Sequence, residues 1–381
     1  MKPVVAHLTG QYLPLTETWL YNQIINLKLY EPIVIAQSTT NLDKFPTQNV
    51  FSIPERSIIL KIFDIISIRR TGLYPTRYFE NIIKEKNVKL LHAHFGTEGY
   101  RYLKLKKNLN LPMITTFYGF DVCMIPKIPS WKKRYVQLFQ EGDLFLAEGN
   151  NMKKELIKLG CPENKIIVQH LGVDLNIFNY TPRTFPEDGN ITILIAGSFR
   201  EKKGIPYAIQ AFAKVKKDHP EIQLRILGDG PMKNQIESLI AELGISSSVT
   251  LLGYQPHDVF LDEATHAHIF MLPSITAQNG DTEGGAPVAI LEAQATGLPV
   301  ISSYHADIPE VVVDGKSSLL ASERDVETLA KHLEYLVEHS EVWVSMGQAG
   351  REHVEQEYDV MVQGKKLETI YDKLCKEKLH D

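Results

Sequence analysis

Residues 279–300 read Asn279-Gly280-Asp281-Thr282-Glu283-Gly284-Gly285-Ala286-Pro287-Val288-Ala289-Ile290-Leu291-Glu292-Ala293-Gln294-Ala295-Thr296-Gly297-Leu298-Pro299-Val300. Asn279, Gly280 and Asp281 cannot hold a regular element and mark an exposed loop. Glu283 follows, then Gly284 and Gly285, which let a backbone approach something closely. Pro287 suits the first turn of a helix, where its missing N–H costs nothing. Residues 288–296 compose a good helix, Gly297 sits where it stops, and Pro299 prevents its continuation. Val300 and Ile301 resume as a buried strand. A helix start behind a Gly-Gly turn offers free amides to an anion, most often a phosphate. Two carboxylates flank those amides, Glu283 before the turn and Glu292 about a turn and a half into the helix. One acid is placed for the group attached beyond a phosphate and the other for a ribose, the layout that a nucleotide-sugar site needs.

Working outward, the same alternation of strand, glycine turn and helix recurs on both sides. Upstream, residues 191–196 form a strand, 197–204 a basic glycine-bounded turn, and a helix follows. Residues 224–227 are a strand ending in Gly228-Asp229-Gly230-Pro231. Residues 249–252 are another, ending in Gly253-Tyr254. Tyr180–Asn190 is polar, with two prolines and a glycine, and reads as a domain linker. Before it the pattern runs a first time. Residues 3–8 are a strand ending in Thr9-Gly10-Gln11, a turn suited to approach by phosphate. Thr16 is placed to cap a helix through Leu29. Strands follow at 32–37, 89–95, 112–117, 144–148 and 165–169. Short crossovers between apolar strands predict an α/β chain with parallel sheets. Ligands in such halves bind at the carboxyl ends of the strands, which places the default site in a cleft between them. The expected domains are 1–180, 181–360 and a C-terminal helix, 361–381, that crosses back to the first domain.

The chain has 381 residues, 44% apolar and 23% charged, enough for two cored domains. Its net charge of −5 conceals an asymmetry. Residues 1–180 carry 23 Lys and Arg against 15 Asp and Glu, and the remainder carries 18 against 31. A basic first half suits an anionic partner, such as a phospholipid surface or a pyrophosphate-linked substrate. No long basic face is interleaved with aromatics, so nucleic acid is not expected. Cys123, Cys161 and Cys375 are few, odd in number and far apart, which fits a reducing cytoplasm rather than a disulfide or metal framework. No apolar run is long enough to span a bilayer.

Residues 57–70 show a narrow polar stripe of Ser57, Lys61, Asp64 and Ser67 on a broad apolar face. That stretch fits a membrane interface or ordinary packing on a sheet. The strand through His92-Ala93-His94 puts both imidazoles on one face. The spacing admits a metal pair, but no third ligand lies nearby in the sequence, and a core or site-edge histidine is the preferred reading. No metal site is expected.

The chain resembles the retaining glycosyltransferases of family 4, with a GT-B fold of two facing Rossmann-like domains. The likeness spans nearly the whole chain. It is densest at residues 197–204, 227–231, Gly253, 283–300 and 308–312, and at His170-Leu171-Gly172-Val173-Asp174 with Phe178. Thr16-Glu17-Thr18-Trp19 and His92-Ala93-His94-Phe95-Gly96 are similar to members that build exopolysaccharides and lipid-linked oligosaccharides. The resemblance implies that Glu283 contacts the donor sugar and that Glu292 holds the ribose hydroxyls. It implies that amides around Gly284, Gly285, Ala286, Pro287 and Val288 bind the sugar and β-phosphate, and that Lys203 neutralises the diphosphate. Base contacts fall near Gly253 and Tyr254, and Gly10 approaches from the facing domain. Three departures stand out. Eight residues separate Glu283 from Glu292 where the family has seven. The family arginine after the strand glycine is Ser198 here, with Arg200 two residues on. The first-domain histidine-glycine pair reads Tyr118-Gly119, so His94 on the neighbouring strand takes part of that histidine's role, or Tyr118 simply packs.

The resulting expectation is a metal-independent, retaining glycosyltransferase with no cofactor. It would move a sugar from a UDP- or GDP-sugar to a glycan or lipid-linked acceptor in cell-surface polysaccharide synthesis. The expected place is the cytoplasm, peripheral on the inner face of an anionic membrane. A nucleotide-sugar epimerase or hydrolase, and a non-catalytic partner subunit, are the alternatives.

Overall fold

A computed structural model describes residues 2–15, 17–54, 66, 68 and 70–377. Thr16 and most of the stretch 57–70 lie outside the described residues, and with them the helix cap and the amphipathic face expected there. The chain divides into two compact units, with boundaries between Gly172 and Val173 and between Asp359 and Val360.

In the first unit, seven parallel strands form one sheet. They are β1 (Val4–Tyr12), β2 (Glu31–Thr39), β3 (Val50–Ser52), β4 (Val88–His94), β5 (Met113–Thr116), β6 (Leu144–Ala147) and β7 (Ile166–Val168), in the spatial order β3-β2-β1-β4-β5-β6-β7. The central strands are apolar almost without alternation because helices cover both faces. Along β4, Leu90, Leu91 and Ala93 are all fully buried. The last helix, Val360–Glu377, belongs to this unit. Its Leu367, Tyr371 and Leu374, spaced four and three apart, pack on Val5, Leu90, Ile114 and Leu146 of the sheet. Each such burial contributes about 1.5–3 kcal/mol. Glu368 on the same helix accepts the amides of Lys28 at 2.6 Å and Leu29 at 2.5 Å.

The second unit repeats the plan with six parallel strands: β8 (Thr192–Ala196), β9 (Gln223–Leu227), β10 (Val249–Gly253), β11 (Ile269–Met271), β12 (Val300–Ser303) and β13 (Ser318–Ala321), in the order β10-β9-β8-β11-β12-β13. The helix Val288–Thr296 is buried from Ile290 to Thr296, and Gly297 closes it in the left-handed conformation at φ +92°. Pro287 stands at the N-cap in extended backbone rather than in the first turn.

In each sheet the strand order reverses beside the first strand, and there the neighbouring strands part. Strand β1 pairs with β2 as far as Tyr12↔Thr39 but with β4 only to Leu8↔Ala93. Strand β8 pairs with β9 to Ala196↔Leu227, whereas its pairing with β11 covers Ile193 and Leu194. These openings at carboxyl strand ends are where open α/β sheets bind ligands.

Two expectations need correction. Thr9-Gly10-Gln11 is not a turn, because β1 continues through it on the β2 side. Tyr180–Asn190 is not a free linker: it lies within the second unit, where Arg183, 4% exposed, donates to the carbonyls of Thr181 and Ala264.

Candidate active site

In the second unit, the turn after β8 and the loop after β11 touch across the opening. Gly204 makes this contact sterically feasible. Its φ is +64°, and a Cβ there would lie 1.8 Å from the carbonyl oxygen of Pro273. The Ile275 amide donates to the Lys202 carbonyl at 2.8 Å, and the Gln278 amide to the Glu201 carboxylate at 2.9 Å. The contact brings Lys203 Nζ to 2.9 Å from Glu283 Oε2, while Ser274 Oγ donates to Glu283 Oε1 at 2.8 Å. Both carboxylate oxygens are therefore held. Burial pushes the Glu283 carboxyl up, but Lys203, Lys202 and the Ser274 hydroxyl outweigh it and hold the group below the usual carboxylate range. Lys202 Nζ reaches the Thr282 carbonyl at 2.9 Å and Asp281 Oδ1 at 3.4 Å.

Loops from the next two strands fix the backbone of this cluster. The Glu283 amide donates to His305 Nε2 at 3.1 Å, and His305 Nδ1 lies 2.6 Å from Glu323 Oε1. Since Nε2 accepts, Nδ1 carries the proton toward the carboxylate. Glu323 also takes the Thr276 amide at 2.9 Å. The Gly285 carbonyl accepts from the Asp307 amide at 3.2 Å. Gly284, at φ +79°, turns the chain toward the helix start, where the amides of Val288 and Ala289 have no acceptor within the helix. Further along, Glu292 Oε1 meets His257 Nε2 at 2.8 Å. Burial lowers the His257 pKa, but the hydrogen bond and charge of Glu292 outweigh that and raise it overall. Ser198 and Arg200 are exposed beside this cluster, and Tyr254 is exposed after Gly253. Gly253 turns at φ +70° while its carbonyl accepts the Gly228 amide at 2.9 Å.

The strand ends of the first unit carry different groups. His94 Nδ1 lies 2.6 Å from the Tyr118 hydroxyl, and His94 Nε2 lies 2.9 Å from His7 Nδ1. The Tyr118 ring packs against Trp19 and Phe95, at centroid distances of 4.3 and 4.8 Å. Phe95 holds φ +74°, a conformation that costs a non-glycine residue about 1–3 kcal/mol. Asp121 ties the two loops together, accepting the amides of Gly96 at 2.7 Å and Tyr118 at 2.9 Å. Burial pushes its carboxyl up to about 6 despite those amides. Gly10, on β1, lies over Glu98, so that a Cβ would stand 3.4 Å from the carboxylate. Burial pushes Glu17, in the Thr-Glu-Thr-Trp stretch, up to about 7.

Known proteins resolve what this arrangement belongs to. The family described as Glycosyltransferase Family 4 matches residues 29–177, and that described as Glycosyl transferases group 1 matches residues 178–353. An amylovoran biosynthesis glycosyltransferase of Erwinia amylovora, AmsK, is 34% identical over 285 residues, which cover 74% of this chain and 70% of that one. The chain belongs to glycosyltransferase family 4. A glycosyltransferase ascribed to colanic acid biosynthesis in Escherichia coli, WcaL, is likewise 34% identical over 288 residues, with the same coverage of 74% and 70%. Solved structures agree on the GT-B fold. A glycosyltransferase from Rickettsia africae superposes with a TM-score of 0.78 at 21% identity, over 98% of both chains. Anabaena HepE, solved with UDP-glucose, superposes with a TM-score of 0.78 at 16% identity, over 97% of this chain and 99% of that one.

Within this glycosyltransferase, the second unit brings Lys203, Glu283 and the glycine turn at 284–285 together at the strand ends, with Glu292 deeper on the helix that follows. Residues 284–287, between Glu283 and the helix, lie outside it. The first unit brings His94 and Tyr118 together. Sequence reasoning missed Ser274, His305, Glu323 and His257, each contributed by a separate strand-end segment. It also missed His7 as a third imidazole beside His92 and His94. The parallel register His7↔His92 supplies it, and that pairing has no local signature in the sequence.

Proposed function

We propose that the chain transfers a sugar from a nucleoside-diphosphate sugar, with retention of configuration, to a glycan or lipid-linked acceptor in exopolysaccharide synthesis. The observation that carries this reading is the Lys203–Glu283–Ser274 constellation beside an open helix N-terminus. Departure of a nucleoside diphosphate builds negative charge, and fixed cations and amides aimed at that charge lower the barrier. Lys203, with Lys202 behind it and the amides at 288–289, supplies positive charge for the diphosphate without a divalent metal. Glu283, held at both oxygens, is oriented to receive hydroxyl hydrogen bonds from the donor sugar. Glu292, oriented by His257, suits the two hydroxyls of a ribose. The acceptor hydroxyl attacks on the face from which the diphosphate departs, through an oxocarbenium-like state. In the first unit, Tyr118 and His94 offer neutral hydrogen bonds suited to a sugar rather than a phosphate.

The names of the Erwinia and Escherichia relatives support the exopolysaccharide assignment, and UDP-glucose in the Anabaena structure supports the donor class. The excess of basic residues in the first half supports peripheral contact with an anionic cytoplasmic membrane surface. Among the described residues, no helix is long and apolar enough to cross a membrane.

The test is a screen of UDP- and GDP-sugars against lipid-linked acceptors, with the product anomer read by NMR. An α-linked donor is expected to give an α-linked product, and Glu283→Ala is expected to abolish transfer while retaining the fold. An inverted product overturns retention, and full activity of Glu283→Ala overturns the site.

A further inference from the structure

We propose that His7, His92 and His94 form an interior site for one transition-metal ion, with Zn2+ the best match. The site lies within the sheet of the first unit and is separate from the diphosphate chemistry.

His7 on β1 pairs in register with His92 on β4, and His94 follows two residues on, so that all three rings fall on one face of the sheet. One ring nitrogen from each residue lies within 4.8 Å of the other two. All three residues are fully buried. Hydroxyl groups hold His92 and His94 in the way that orients metal-binding imidazoles, and since both nitrogens of His92 are engaged, an ion would displace one of its two hydroxyls. His92 lies 2.6 Å from the Tyr371 hydroxyl and 2.7 Å from the Thr116 hydroxyl, and His94 lies 2.6 Å from the Tyr118 hydroxyl. His7 Nε2 has no hydrogen-bond partner among the described residues.

Three neutral nitrogens suit zinc, cobalt, nickel or copper and exclude magnesium and calcium, which require oxygen ligands. Zinc bonds imidazole nitrogen at about 2.0–2.1 Å, so tetrahedral ligands stand about 3.3 Å apart. His7 Nδ1 and His94 Nε2, now hydrogen-bonded at 2.9 Å, stand near that spacing and would give up their shared proton as the ion binds. The widest pair closes by about 1.5 Å through side-chain rotation to meet it. Three protein ligands leave a fourth position of the tetrahedron open. A bound ion on His94 would also fix the Tyr118 hydroxyl through His94 Nδ1.

The experiment uses the full chain, freed of metal with a chelator and titrated with Co2+ and then Zn2+. One equivalent of cobalt is expected to give the visible absorption of a tetrahedral centre, which one equivalent of zinc then abolishes. His7→Asn and His92→Asn are each expected to weaken zinc at least tenfold, with folding checked by circular dichroism. X-ray absorption on the wild-type zinc form is independent of whether those variants fold, and it is expected to count three imidazole ligands. Absence of stoichiometric binding overturns the site. So does a shell containing sulfur, which would place the ion on Cys123, Cys161 or Cys375, and so does undiminished affinity in both variants.

Discussion

The two sheets share a strand order and an opening beside the first strand, yet the groups at those openings differ in kind. The first unit presents imidazoles and a phenol that are neutral and linked to one another: His7, His94 and Tyr118. The second presents ammonium and carboxylate groups in pairs: Lys203 with Glu283 and Lys202 with Asp281. Net charge runs the other way. The basic half of the chain holds the neutral cluster, and the acidic half holds the lysines. The lysines at this opening stand in a unit whose net charge is otherwise acidic. The fold decides where the loops converge, and a few loop residues decide which chemistry is met there.

The largest expected difference between the two clusters is their response to acid. Burial holds the His7 pKa at about 3, against 6.5 for an ordinary imidazole, and drives His92 and His94 down as well. Above pH 6.5 the folded and unfolded chains are both neutral at His7. Between 6.5 and 3 the unfolded chain binds a proton that the folded chain refuses, so stability falls as pH falls. The expected slope approaches about 1.4 kcal/mol per pH unit for each imidazole. Urea denaturation of the metal-free chain at pH 7, 6 and 5 measures it. His7→Asn should flatten the slope, whereas a wild-type profile flat from 7 to 5 would mean that the cluster is not neutral and buried.

A smaller effect is expected at Gly204, which allows the charged loops to meet. Gly204→Ala places a methyl group against the Pro273 carbonyl in left-handed backbone, and the expected loss is about 3 kcal/mol. Thermal denaturation reads this directly, and an unchanged midpoint would show that the loops do not need their close approach. Smallest is the effect at His305, whose imidazole accepts the Glu283 amide and meets the Glu323 carboxylate. His305→Ala is expected to lower kcat about tenfold, equivalent to about 1.4 kcal/mol, with a small change in KM. Steady-state kinetics decides it, and unchanged kcat would mean that Glu283 is positioned without the imidazole.

Much of the local structure around Glu283 was legible in the sequence because it is contiguous. Gly284 and Gly285, the helix 288–296 and its stop at Gly297 stand in one run, and Lys203 follows the first strand of its unit. The orienting groups were not legible. His305 lies 22 residues beyond Glu283, Glu323 lies 18 beyond that, and His257 lies 35 before Glu292. Only the order of parallel strands brings them to one edge. His7 stayed hidden for the same reason, since its neighbour across the sheet is 85 residues away in the chain. Gly10 was misread because glycine after an apolar strand usually marks a turn. Here β1 keeps β2 as a partner after leaving β4, so the strand continues and the missing side chain leaves room above Glu98.

The role proposed for the charged opening of the second unit is to bind a nucleoside diphosphate through Lys203. Calorimetric titration of the full chain with UDP and GDP, in metal-free buffer, tests it most directly. At least one nucleotide is expected to bind the wild type, and Lys203→Met is expected to weaken it at least tenfold with the fold unchanged. Equal affinity in the wild type and Lys203→Met would rule out that role for Lys203.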